Sequence, residues 1–450
     1  MDFYLWNFAV LALLNVLLAY REYRVKKTSQ PQLNDAKRQV AANDAKENLK
    51  SFKWRFLPVY LLVNGADWLQ GPYIYPLYKD EKKLAEEVVA ALFMTGFIAG
   101  AVSASFTGKL ADRFGRRLAC LAFCVIYSLS CLVLFSNDII VLFVGRALGG
   151  VSTTILYSCF ESWMVTEYNV LFPDEPPSTL SGIFSTMTTL NSVVAVLSGI
   201  LAEWFADLAG TQKAPFMSAI GCLALAFMIM WKNWGENYGT ATDVSLLLEG
   251  KEQPPPKSTL RLFLDDKRLL ALGLTSSVFE GSMYVFIFFK FPALKLSHEL
   301  AGLGSGEDLP FGLIFAILMC SMMAGSMIHK YIVTNYTSVA PATLLVMTLS
   351  IGAASFMIPV LIRNEHITFW SFCVFEVCCG IYFPLMAYQK GKIIDDSVRA
   401  NVYGLMRVPL NAFVVLILST TKEGARHRDL VFTVCSALLL ISTAVNGVWL

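Results

Sequence analysis

Five ionisable side chains stand inside long apolar runs of this sequence: Asp67, Arg146, Glu280, Glu376 and Arg407. A charge deep in a bilayer is costly, so such groups are kept for binding, for proton relay or for pairing. Carboxylates so placed can take up and release a proton. Arginine forks can hold an oxyanion through paired N–H donors. Counting inward from the expected helix ends, at about 1.5 Å per residue, puts all five at a similar depth. Beside them lie groups able to face a polar solute: Trp68, Gln70, Tyr73, Tyr75, Tyr284, Tyr382 and Asn411, with the hydroxyls of Ser152, Thr153 and Thr154 one to two turns from Arg146. Tyrosines in such helices usually pack, so they rank below the charges. Arg146 has an equally good structural reading, as the ion-pair partner of Asp67, because an unpaired buried charge is so unfavourable. Lys290 closes its apolar run and reads as a lysine that snorkels to the outer surface.

A second constellation is GKLADRFGRR, residues 108–117. Gly108 and Gly115 allow close approach and a tight turn, and Asp112 can accept from helix N-terminal amides. Arg113, Arg116 and Arg117 can pair with carboxylates across a helical bundle, with Glu161 as the expected partner of the arginines. Arg113 or Arg116 is expected to approach Glu161 or Glu167 when a central cavity opens outward. The string resembles the cytoplasmic signature of the major facilitator superfamily. GRALGG at 145–150 resembles a second motif of that superfamily, and GSMIHKYIVTNY from Gly325 a degenerate second copy of the first.

The elements that must position these residues are membrane helices. The chain has 450 residues, 56% hydrophobic and only 16% charged, against a charged share of about 25% in soluble domains. A water-soluble fold cannot hide that much apolar surface. A bilayer core needs about 20 apolar residues per span, and suitable runs lie near 3–20, 56–78, 86–108, 118–135, 139–163, 178–206, 214–232, 268–291, 311–330, 338–362, 367–390, 401–421 and 429–450. One extra N-terminal helix therefore precedes twelve core helices. The positive charges follow 3–20 (Arg21, Arg24, Lys26, Lys27), which favours a retained anchor with its start outside over a cleaved signal. Placing 21–55 in the cytoplasm then concentrates Lys and Arg in inside loops, puts Leu450 at the cytoplasmic face, and puts the sequon Asn335-Tyr336-Thr337 inside. The stretch 233–267, with Pro254-Pro255-Pro256, reads as a linker between two bundles. The expected division is 1–55 for the extra helix and polar linker, 56–232 for a first six-helix bundle, 233–267 for the linker and 268–450 for a second bundle. Helix breakers beside the charges (Gly71-Pro72 and Pro76, Gly380 and Pro384, Pro409) are expected to free backbone groups.

Other chemistries find little support. The ten cysteines lie in or at the ends of apolar runs, which suits small packing residues better than disulfides or a metal site. The four histidines, His298, His329, His366 and His427, lack metal-ligand spacing. No glycine-rich phosphate loop appears, and a net charge of +2 spread over short loops gives no nucleic-acid surface. No enzymatic activity, cofactor or metal is expected.

A closer resemblance runs through both halves. ADWLQGPYIYPLY (66–78), GRALGGVSTTILYSCFESW (145–163), NWGENY (233–238), Phe279-Glu280, CGIYFP (379–384) and RVPL (407–410) look like the molybdate-anion transporter branch of the superfamily. That resemblance implies an all-α major facilitator fold, with two six-helix bundles plus the extra helix. It implies import of molybdate, a tetrahedral dianion. The protein is expected to be a monomer in the cell membrane. Arg407, Arg146, Trp68, Gln70 and Tyr382 are then the expected substrate contacts, and Asp67, Glu280 and Glu376 the candidates for proton coupling. Sulfate or an organic solute is the alternative cargo, and a non-transporting receptor or scaffold the alternative class.

Overall fold

The computed structural model describes residues 2–28, 36–173, 175–239, 265–300, 309–336, 338–394 and 399–449. Most of these residues are helical, and there is no strand among them. Lipid offers backbone N–H and C=O groups no partner, and a helix is the one open-ended segment that pairs its own. In chain order the helices are α1 (Asp2–Thr28), α2 (Ala36–Gln70), α3 (Ile74–Pro76), α4 (Glu86–Ala104), α5 (Thr107–Phe114), α6 (Arg116–Val133), α7 (Ile139–Leu156), α8 (Cys159–Leu171), α9 (Pro177–Ala209), α10 (Ala214–Asn233), α11 (Lys267–Leu300), α12 (Phe311–Asn335), α13 (Pro341–Leu361), α14 (Glu365–Ile393), α15 (Arg399–Ser419) and α16 (Ala425–Trp449). A short π-helical turn, Leu77–Glu81, follows α3. Most of the linker 233–267, with its three prolines, lies outside the described residues, as do parts of 21–55, Thr337 of the sequon and Leu450.

Among the described residues, 12 helical spans are long and apolar enough to cross a membrane, from Phe3–Glu22 to Ala425–Trp449, with α7 and α8 together forming one of them. The run expected at 56–78 falls on the end of α2 and the turns beyond it. Because α2 stops at Gln70, a membrane-length stretch of that helix must take in Lys53 and Arg55 as well as Asn64 and Asp67, and it is more polar than the other spans. The helix ends where Gly71-Pro72 stops it: Gly71 N–H bonds back to the Trp68 carbonyl at 3.2 Å. Other ends have equally local causes. Asp138 caps α7 by accepting from the amides of Ile140 and Val141, Asn364 caps α14, and Gly210 closes α9 in the left-handed conformation.

The chain divides into two compact units. One comprises Met1–Asn15, Tyr75–Phe97 and Lys251–Leu450; the other comprises Val16–Ile74 and Ile98–Gly250. In the first, α11 and α14 run antiparallel in a steady register. Ser297 meets Thr368 at 3.1 Å, Phe286 meets Phe372, Phe279 stacks on Tyr382 and Ser276 meets Lys390. Phe286, Phe356, Phe372, Phe375 and Phe432 form the aromatic core beside this seam. The start of α1 docks on the same unit. Its Tyr4 hydroxyl donates to Glu365, whose other oxygen lies 2.8 Å from His298 Nδ1. Phe3 stacks on His366 at 3.8 Å, and Asn15 donates to the Cys320 carbonyl at 3.0 Å.

Gly380 and Pro384 do not break α14, nor does Pro409 break α15; both helices run on through them. Gly380 serves packing instead. A Cβ there would sit 2.0 Å from the Met322 carbonyl oxygen, and one on Gly325 would sit 2.2 Å from that of Val377, so α12 and α14 touch backbone to backbone. All ten cysteines are free thiols, nine of them buried.

Candidate functional site

In the second unit, Asp67 sits one turn before the end of α2 and meets side chains from α6, from α7 and from the turn that follows α7. Tyr127 and Tyr157 both donate to its carboxylate, one to each oxygen. Arg146, on α7, lies close enough to act on the same carboxylate electrostatically. Trp68 donates to Asn191 Oδ1 at 2.9 Å, and Tyr73 to Glu203 at 2.7 Å. Gln70 turns back on its own helix, bonding the Ala66 carbonyl at 2.9 Å. Ser152 and Thr153 bond the carbonyls of Leu148 and Gly149, and Thr154 those of Gly100 and Gly150. These hydroxyls serve helix backbone, as buried serines and threonines commonly do. The two tyrosines on Asp67 were not singled out from the sequence, where each is one phenol among many in the membrane runs.

The arginine motif lies in the same unit and is strapped by the segment after α10. Gly115 separates α5 from α6 at φ +117°, and a Cβ on it would meet the Glu236 carboxylate at 2.5 Å. Glu236 accepts from the amides of Arg117 and Leu118 at 2.7 and 3.1 Å, capping the start of α6. Arg117 reaches the Trp231 carbonyl at 2.8 Å and lies over its ring. Arg116 pairs with Asp112 at 2.7 Å and also donates to Thr166. Trp163 stacks on Trp234 at 3.8 Å and donates to the Gly235 carbonyl, which fixes the strap. Gly108, Arg113 and Glu161 are exposed. Glu167 pairs with Arg55 at 3.2 Å. The observed partner of Arg116 is thus Asp112 of its own motif.

In the first unit, the α11–α14 seam brings four charges together in two rungs. Glu280 of α11 accepts from Ser276 at 2.7 Å, from Tyr382 at 3.1 Å and from Lys390 at 3.5 Å. Lys390 also donates to Ser276 at 3.0 Å and lies 5.7 Å from the centre of the Tyr403 ring. Nearer the other end of the seam, Lys290 of α11 and Glu376 of α14 act on each other electrostatically. Both are buried, at 3% and 5% exposure. Lys290 does not snorkel: its ammonium lies 5.0–5.8 Å from the ring centres of Phe286, Phe291 and Phe315. Cation–π attraction and a carboxylate across the seam let the charge stay inside. Arg407, on α15, is exposed, and it shares with Glu280 an electrostatic influence on Tyr284. Lys390 escaped the sequence reading because a lysine near a helix end resembles any loop cation. Opposite charges at matching heights on antiparallel helices are the signal that finds it.

Among the described residues no cluster of histidine, cysteine and carboxylate groups could hold a metal ion.

Residues 29–371 match the family model described as sugar transporters, 12 TM. The chain is similar to the molybdate-anion transporter of Takifugu rubripes, with 30% identity over 96% of this chain and 92% of the relative. It is likewise 30% identical to that of Danio rerio, over 91% and 88%, and to that of Xenopus laevis, over 87% and 84%. Solved structures of the same architecture include the D-xylose-proton symporter, with a TM-score of 0.67, 12% identity and coverage of 89% of this chain and 98% of that one. The nucleoside transporter NupG gives a TM-score of 0.66 at 10% identity, covering 88% and 98%. At such identity these two speak for the fold alone. Twelve apolar spans among the described residues, the arginine motif and relatives matched along nearly the whole chain agree: this multi-pass membrane protein belongs to the major facilitator superfamily, in its molybdate-anion transporter branch.

Proposed function

We propose that the chain is a secondary active transporter that imports molybdate by alternating access, acting as a monomer in the cell membrane. The observation that carries this reading is the similarity, along nearly the whole chain, to proteins named molybdate-anion transporters. The side chains are of the right kind. A tetrahedral dianion needs N–H forks and hydroxyls, and the exposed Arg407 supplies the fork, with Arg146, Trp68, Gln70 and Tyr382 as further candidate contacts. Carboxylates near a dianion repel it unless protonated or paired. One of Asp67, Glu280 and Glu376 therefore couples import to a proton. The family model's description favours a second cargo, a sugar-like organic solute. Sulfate, of the same shape and charge as molybdate, is a third.

The test is uptake into proteoliposomes of molybdate, sulfate and a neutral sugar at several pH gradients. Molybdate should enter faster than into empty liposomes. Arg407→Lys keeps the charge and loses the planar fork, and should slow uptake by about tenfold, the worth of one charge-assisted hydrogen bond. Of Asp67→Asn, Glu280→Gln and Glu376→Gln, the coupling residue should lose pH-driven accumulation and still allow exchange. Sugar entering instead would favour the second reading, and no entry of any solute would favour a scaffold. Unchanged uptake by Arg407→Lys and Arg407→Ala would remove Arg407 from the site and leave the function standing.

A further inference from the structure

The two rungs of the α11–α14 seam differ in one respect that bears on what they do. The Lys290–Glu376 rung is dry: both groups are at least 95% buried, and aromatic rings enclose the ammonium. No solute reaches it without parting the helices. The Lys390–Glu280 rung is partly open, with side-chain exposures of 16% and 24%. It is also loose. At 3.5 Å the ammonium stands beyond the usual range for a charge-assisted bond to a carboxylate, which is about 2.7–2.9 Å. Glu280 has two better donors in Ser276 and Tyr382. A lysine ammonium has three N–H donors; Ser276 and Glu280 take two of them. A second cation, Arg407, belongs to the same neighbourhood through Tyr284.

We propose that Lys390 is an anion contact of this transporter, a side chain that leaves Glu280 to hold a tetrahedral dianion. The inference rests on the transport reading and adds to it a residue on α14, and it makes Glu280 the group that keeps Lys390 occupied while no anion is present. Three features carry it. Glu280 Oε1 keeps a serine and a tyrosine hydroxyl as donors when the lysine departs. The lysine has a flexible four-carbon stem and a face on Tyr403 along which to swing. With Arg407, whose charge acts on Tyr284 together with that of Glu280, two cations stand against one carboxylate, a net charge of +1 that draws an anion.

The experiment is equilibrium binding of molybdate, and separately of sulfate, to the full-length protein purified in detergent, followed by calorimetry. Lys390→Gln should weaken binding at least tenfold, as loss of one charged hydrogen bond predicts. Lys390→Arg should recover most of the affinity. Lys392→Gln removes a charge from an exposed site on the same helix and should leave affinity within about twofold. Glu280→Gln releases the lysine and should tighten binding, which a merely structural pair would not do. Thermal melting of each variant confirms that it is folded, and Lys390→Met serves where Lys390→Gln does not fold. If Lys390→Gln or, failing that, Lys390→Met binds like the unmodified protein, Lys390 is not a contact and the transport reading stands. If Glu280→Gln binds more weakly, the pair is a structural rung and the assignment fails. If the unmodified protein binds neither anion, the transport reading falls and takes this one with it.

Discussion

Gly115 shows how much a single backbone position can govern. Its φ of +117° is open to glycine alone, and the Glu236 carboxylate occupies the space a side chain would need. The carboxylate sits there because it caps the two exposed amides at the start of α6, where the helix dipole also favours negative charge. Gly115→Ala should therefore strain the backbone by about 1–3 kcal/mol and evict a cap worth about 1 kcal/mol. Thermal melting in detergent micelles is expected to show the loss. Glu236→Gln, which keeps a carbonyl oxygen for one amide, should cost less than Gly115→Ala. The motif itself was plain in the sequence, since its spacing alone places the turn. Its anchor was not. Glu236 lies more than a hundred residues away in a short polar string, and nothing local marks it as the cap of another helix.

At the scale of elements, the spans were legible because lipid demands long apolar runs, and the turns because Gly-Pro and Asp or Asn caps announce them. Proline was the misleading sign. Pro384 and Pro409 were expected to break their helices, but a membrane helix tolerates a proline when neighbours re-satisfy the freed carbonyl. Gly380 was read with them and does the opposite work. It lets α12 and α14 approach so closely that Ser326 reaches across to the Gly380 carbonyl at 3.0 Å. Gly380→Ala should push the two helices apart, at an overpacking cost of about 1–3 kcal/mol. Gly221 has open space where its Cβ would stand. Gly221→Ala should be neutral or stabilising by up to about 1 kcal/mol. Parallel melts of the two variants decide the matter: equal loss in both would show that the α12–α14 contact is not close.

For the molecule as a whole, composition sufficed to name the solvent, and residue spacing to suggest the superfamily. Charge partnership was beyond reach, because it depends on the register of helices distant in sequence. Lys290 read as a surface lysine until α14 placed Glu376 across from it. The cysteines follow the same logic, being small side chains chosen for close packing and buried by it. Folded protein should therefore resist a membrane-impermeant thiol reagent at all but Cys222, the one half-buried thiol, and should melt at the same temperature with or without a reductant. Rapid labelling of several thiols in the folded protein would contradict the packing described for both units.

The docking of α1 has a consequence for how the chain is made. Tyr4 and its partner Glu365 are separated by 361 positions. Synthesis proceeds at about 5–20 residues per second, so Tyr4 leaves the ribosome well ahead of the helix that will receive it. During that interval α1 waits in the bilayer with its buried face, Tyr4, Leu11 and Asn15, still turned to lipid. The segment inserted early is thus among the last to find its place. A newly made chain stalled before α14 would leave the polar groups of Tyr4 and Asn15 without their partners in lipid, a mark by which quality-control machinery could recognise it as unfinished.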